Sequence, residues 1–138
     1  VQALADVVTA TDAKVLAHEG DAGDLPVPVD QLVSDGDVVR VGDCALRVIH
    51  LNGHTPGSIA LLYDADPAAP HLFSGDPLFP GGPGRTTTPE GHTSLMDDLE
   101  TKVFGRLPDA TWVYPGHGKD TTLGAERPSL PEWRERGW

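Results

Sequence analysis

Residues 44–58 read CALRVIHLNGHTPGS, an apolar run that stops at a histidine set between two glycines. Within the run, Ala45, Arg47, Ile49 and Leu51 alternate with Cys44, Leu46, Val48 and His50. Aliphatic and β-branched residues in that rhythm, bounded by glycine on both sides, form a buried or half-buried strand. A helix is ruled out at the end of the run, because Pro56 and Gly57 break one and the residue before a proline is pushed to extended backbone. His54 therefore hangs from a strand end, the place where a rigid scaffold commonly holds its chemistry. A single histidine in a turn is more often a solvated surface residue than a ligand, so the motif needs support from elsewhere in the chain.

The same grammar recurs twice. Residues 71–79, HLFSGDPLF, close an apolar stretch in Gly75-Asp76, and residues 111–118, TWVYPGHG, close another in Gly116-His117. Glycine beside such a side chain lets backbone approach closely and adopt positive φ, so a short turn can aim the side chain into a shared pocket. His54, Asp76 and His117 lie too far apart in the chain to form a local zinc-finger pattern and can meet only through a sheet. Two imidazoles and one carboxylate suit zinc, with iron or manganese as further candidates.

Taken in order, HLNGHTPGS (50–58), FSGDPLFPGGPGRT (73–86) and VYPGHG (113–118) resemble the third, fourth and fifth metal motifs of the metallo-β-lactamase-fold hydrolases, in particular their short glyoxalase-II-like branch. Residues 115–128, PGHGKDTTLGAERP, resemble that branch's tail, so the likeness runs over most of the chain. The third motif more often reads T-P-G-H-T-P-G-H or -S, and Leu51-Asn52 depart from it. The larger departure is that the first motif of the family, His-x-His-x-Asp-His, has no counterpart here. The opening VQALADVVTATDAKVLAHEG resembles the helix that directly follows that motif.

The resemblance implies an α/β fold of α+β layers, the C-terminal part of an αββα metallo-β-lactamase sandwich. Residues 1–138 would be part of a single domain whose N-terminal portion, with the first motif, is a missing partner. It implies two zinc ions, His54 completing the first site, His117 the second, and Asp76 bridging both as the catalytic centre's shared carboxylate. It implies a metal-dependent hydrolase that uses metal-bound hydroxide on a small-molecule ester or thioester. Three alternatives stand beside this: an iron-dependent persulfide dioxygenase, a β-lactamase or lactonase specificity, and a catalytically inactive fragment or interaction module. The chain ends soon after His117, without the helical domain that glyoxalase II uses to grip glutathione, so glutathione thioesters are not the expected substrate.

Composition narrows the partners. Ten basic and 21 acidic residues give a net charge of −11, which opposes nucleic-acid and anionic-membrane binding. No apolar run approaches the ~20 residues needed to span a bilayer, and a cytoplasmic location is expected. The single cysteine, Cys44, excludes an internal disulfide and reads as a small core residue on its strand. Half a sandwich leaves one sheet face bare, so self-association, such as a homodimer, is expected.

A coarse pass predicts a helix over about 2–12 with Leu4, Val7 and Val8 on one face, and a strand over AKVLAH (13–18). A Pro/Gly-punctuated acidic loop follows over 19–37, turning at Asp35-Gly36, with strands near 38–41, 45–51, 58–63 and 71–74. A flexible rim over 79–92 leads to a helix near 94–105 capped by Thr93 or Ser94, and a last strand, TWVYP, delivers His117. The rim's GGPG (81–84) lacks the Lys-Ser/Thr of a P-loop. Arg85 reads as a solvated charge rather than a clamp for a substrate carboxylate. His18, His50, His71 and His92, the last placed just before a helix, read as structural, and Ser58 and Ser74 as packing or hydrogen-bonding locally.

Overall fold

The computed structural model describes residues 3–137 of the chain. In chain order it contains α1 (Leu4–Thr11), β1 (Leu16–Ala17), α2 (Glu19–Ala22), β2 (Gln31–Leu32), β3 (Val38–Val41), β4 (Cys44–His50), β5 (Ile59–Tyr63), β6 (His71–Gly75), β7 (Leu78–Phe79), β8 (Gly82–Pro83) and α3 (Pro89–Asp98). A π-helical stretch (Leu99–Phe104) prolongs α3, followed by β9 (Trp112–Pro115), β10 (Thr121–Thr122), α4 (Leu123–Glu126), a 3-10 turn (Arg127–Ser129) and α5 (Leu130–Arg136).

The main sheet has six strands in the order β10-β9-β6-β5-β4-β3. β3 to β6 form an antiparallel meander, and β9 returns parallel to β6 after crossing through α3. Period-two alternation sorts its side chains. Ile49, Ala60, Leu62, Leu72 and Val113 face the helical layer and pack with Leu95, Met96, Leu99, Val103, Phe104 and Trp133 in one continuous core. Fully burying a leucine of this kind contributes about 1.5–3 kcal/mol, and Leu72, Leu95 and Leu99 are each 0% exposed. Arg134 of α5 holds the helical layer together, bonding Glu100 at 2.9 Å and Asp97 at 2.8 Å. Those two carboxylates, Glu100 foremost, push the guanidinium's pKa further upward.

The opposite face is covered only in part among the described residues: Val48 is 1% exposed and His50 stacks on His18, the N-cap of α2, while the rest is open. Leu46, Tyr63, His71, Phe73 and Tyr114 lie on it, with Phe73 45% exposed and stacked on Tyr114 at 5.0 Å. His71 Nδ1 lies 2.9 Å from Tyr114 Oη, a structural role as expected. The layered α/β architecture is thus what the sequence predicts.

Several local expectations are corrected. Cys44 is exposed, because alternation puts it on the open face beside Val41, at the β3–β4 turn. The helix expected from residue 94 starts at Pro89, since Thr88 is its N-cap and accepts a hydrogen bond from Gly91 N at 3.0 Å. His92 consequently lies inside α3, 5% exposed, with Nε2 3.1 Å from the Trp133 carbonyl. The 19–37 loop contains α2 and β2, the latter pairing parallel with β1, which is shorter than AKVLAH. The first helix buries none of its residues and Val7 is 50% exposed; residue 2, where it was expected to begin, lies outside the described residues. The 79–92 rim is no free loop: β7 and β8 form a hairpin. Glu126 accepts from Gly81 N at 2.9 Å. No described helix is long and apolar enough to cross a membrane.

Candidate metal centre

Three strand ends deliver the three predicted side chains to one place. β6 pairs with both β5 and β9, so Asp76 emerges between the loop that leads into β5 and the loop that leaves β9. The β6–β9 register shifts between Phe73 and Gly75, and Gly75 has φ +60°. A bulge of this kind re-aims the next side chain, here Asp76. Ser74 secures the corner from within, its buried hydroxyl donating to the Leu78 carbonyl at 2.8 Å.

Asp76 then faces a histidine with each oxygen. His54 Nε2 lies 3.8 Å from Oδ2, and His117 Nε2 lies 3.8 Å from Oδ1. The His54 ring is held from behind: Nδ1 is 2.7 Å from the Arg85 carbonyl. Since a carbonyl only accepts, Nδ1 carries the proton and Nε2 presents its lone pair toward Asp76, the tautomer a metal ligand needs. His117 is the most open of the three, its side chain 77% exposed and its ring 4.6 Å from that of Phe79.

Two glycines make room for the carboxylate. A Cβ on Gly84 would collide with the Asp76 carbonyl oxygen, and one on Gly116 with Asp76 Oδ1. Gly53, just before His54, has φ +145° and would collide with the Gly91 carbonyl of α3 if it bore a side chain. Gly53, Gly84 and Gly116 thus serve close approach rather than looseness.

Among the described residues no three His, Cys, Asp or Glu side chains converge on a single ion position. The reason is geometric: the two histidines address opposite oxygens of one carboxylate rather than a common point. Two imidazole nitrogens and one carboxylate between them are a donor set that suits zinc or iron.

Of the other histidines, His50 points Nε2 at the Pro56 carbonyl, 2.8 Å away, and stacks on His18 at 4.0 Å. Ser58 hydrogen-bonds Thr55 at its amide, 3.1 Å, and its hydroxyl, 2.6 Å. The Arg85 side chain is exposed. What sequence reasoning missed is the support: the Arg85 carbonyl behind His54, Asp98 accepting from Asn52 N at 2.9 Å, and Asp21 beneath the loop. Only the Gly-flanked spacing hinted that something packs closely there.

No protein-family model matches the chain. Comparison with solved structures defines its class. A metallo-β-lactamase from Staphylococcus aureus subsp. aureus COL is 30% identical with TM-score 0.76, over 93% of this chain and 43% of that one. ETHE1 from Myxococcus xanthus is 33% identical with TM-score 0.77, over 96% of this chain and 57% of that one. TTHA1623, in a di-iron-bound form, is 34% identical with TM-score 0.71, over 94% of this chain and 70% of that one. The fold is that of the metallo-β-lactamases. Among curated sequences, a hydroxyacylglutathione hydrolase of Rhodobacter capsulatus is 44% identical over 117 residues, 85% of this chain and 42% of the relative. The chain belongs to the metallo-β-lactamase-fold superfamily, in its glyoxalase-II-like branch. It spans about half the length of the curated relatives it matches.

Proposed function

We propose that these residues form the C-terminal half of the metal centre of a hydrolase that cleaves an ester-like or thioester bond in a small molecule. The observation that carries this reading is the pair of histidines, each 3.8 Å from a different oxygen of Asp76. His54 and Asp76 would hold one ion, His117 and Asp76 the other, and the remaining ligands would come from an N-terminal part of the same domain. When bound, the metals supply a water whose pKa falls toward ~7 and a Lewis acid for the acyl carbonyl.

This chain's own groups have separate tasks. The Arg85 carbonyl keeps the proton on His54 Nδ1. Asp76, with two oxygens and one negative charge, joins the half-sites and offsets the charge of two cations. The β7–β8 hairpin walls the site beside Phe79 and His117, and Arg85 serves through its carbonyl while the residue itself is exposed. None of these roles calls for a serine nucleophile, and both Ser58 and Ser74 are engaged in local bonds.

The neighbour in a di-iron-bound form supports iron as a metal for this donor set, and the likeness to ETHE1 fits a second reading, the iron-dependent persulfide dioxygenase. One experiment separates the two: metal analysis of the purified full-length protein, followed by turnover of thioester and lactone panels alongside oxygen uptake with a persulfide. About two ions per chain with thioester or lactone hydrolysis and no oxygen uptake is the expected result. One iron per chain with oxygen consumption would replace the hydrolase by the dioxygenase.

A further inference from the structure

The turn that carries His54 is fastened from below by a residue hidden in an acidic loop. Asp21 of α2 accepts two hydrogen bonds from it, from Thr55 Oγ1 at 2.5 Å through Oδ2 and from Gly57 N at 2.7 Å through Oδ1. The network extends one step further, because the Ser58 hydroxyl lies 2.6 Å from Thr55 Oγ1, whose own proton goes to Asp21. The two backbones are in contact: a Cβ on Gly57 would lie 2.6 Å from Asp21 N, and one on Gly20 would lie 2.9 Å from Gly57 N. Both carboxylate oxygens are thus spent on residues just past His54, and bonds to an ionised carboxylate are about twice as strong as neutral ones.

The other anchors of this turn serve the helical layer as well. Asp98 accepts from Asn52 N but also pairs with Lys102 at 3.0 Å, within α3 and its π-helical extension. Asp21 sits in a four-residue helix outside the main core, and its carboxylate reaches across 34 and 36 residues of chain to the His54 turn.

Resting on the metal-centre reading above, we propose that Asp21 is a positioning residue: its carboxylate holds Thr55 and Gly57 so that the His54 imidazole meets Asp76 in its ligand pose. Asp21 touches neither metal nor substrate in this role. Its removal lets the turn after His54 relax, and the first ion's affinity falls while the second half-site, built on His117, stays as it was.

The test is a double-mutant cycle on the full-length protein, with zinc alone as the probe, titrated against a chromophoric chelator. Wild type, D21A, H54A and D21A/H54A are compared, with the visible spectrum of the cobalt-substituted forms and thermal melts recorded for each. D21A is expected to weaken the tighter zinc step by about ten- to a hundredfold, the range seen when a metal ligand loses its orienting partner, and to shift the cobalt bands. In the H54A background the same change is expected to alter zinc affinity less than twofold. D21N, which keeps one acceptor oxygen, and T55V, which removes one donor, are expected to fall between and stand in for D21A if it does not fold. An equal loss in both backgrounds, or a lowered melting point with unchanged zinc affinity, marks Asp21 as a structural residue and overturns the proposal. If H54A weakens zinc and D21A does not, the positioning role alone fails. If H54A leaves zinc affinity unchanged, the metal-centre reading fails and the positioning role goes with it.

Discussion

Asp76→Asn isolates charge from shape. Asparagine keeps the volume of the side chain and one acceptor oxygen, so a residue that only shaped the turn before Pro77 would tolerate the change. A carboxylate shared by two cations would not. A unit positive charge placed as far from a carboxylate oxygen as each histidine nitrogen is, 3.8 Å, gains about 1 kcal/mol in water and about 4 kcal/mol at an effective dielectric of about 20. Asp76 is 46% exposed, so its environment lies between these limits, and a figure of about 3 kcal/mol corresponds to a factor of about a hundred in affinity. The full-length D76N protein is therefore expected to lose one of its two ions at equilibrium and at least about a hundredfold of its hydrolytic rate, with an unchanged melt. Zinc is counted by equilibrium dialysis and turnover is followed on a thioester panel. His50→Gln serves as the control, because glutamine still offers an N–H toward the Pro56 carbonyl. A D76N enzyme with both ions and near-normal turnover would remove Asp76 from the centre.

Three further outcomes follow from the same geometry. His117→Ala takes away the most exposed donor and is expected to reduce bound zinc from about two ions to one, read by atomic emission on dialysed protein; retention of two would detach His117 from the site. Trp133→Ala removes a side chain that is 1% exposed and packs edge-on against Phe104 at 6.1 Å, and a loss of about 3–5 kcal/mol is expected in denaturant titration; a change below 1 kcal/mol would contradict the core assignment. Residues 1–138 expressed alone should self-associate through the open sheet face, and Phe73→Lys with Trp112→Lys should restore a monomer in sedimentation; a monomeric parent chain would refute it.

The strands and the three glycine-marked turns were legible because each depends on a pattern a few residues long. Alternating aliphatics mark β4 and β5, and a glycine followed by His or Asp marks where a strand stops and aims a side chain. The start of α3 was missed although Thr88-Pro89-Glu90 is a sound helix opening, because Gly91 directly after it reads as a breaker; in the fold that glycine is where α3 meets Gly53. Cys44 was assigned inward because hydrophobicity alone does not tell which face of a strand will find a covering layer. Asp21 was illegible for a deeper reason: in an acidic, proline-punctuated stretch an aspartate looks solvated, and its partners lie in another part of the chain.

The contact behind His54 has a consequence for how such a protein can change over generations. The ring is steered by the backbone oxygen of residue 85, an atom every amino acid possesses, while residue 85 itself is exposed. The pose of the His54 ring is therefore insulated from the identity of the side chain at 85. Mutation can explore position 85 with any residue that accepts its backbone angles while the imidazole behind it stays steered.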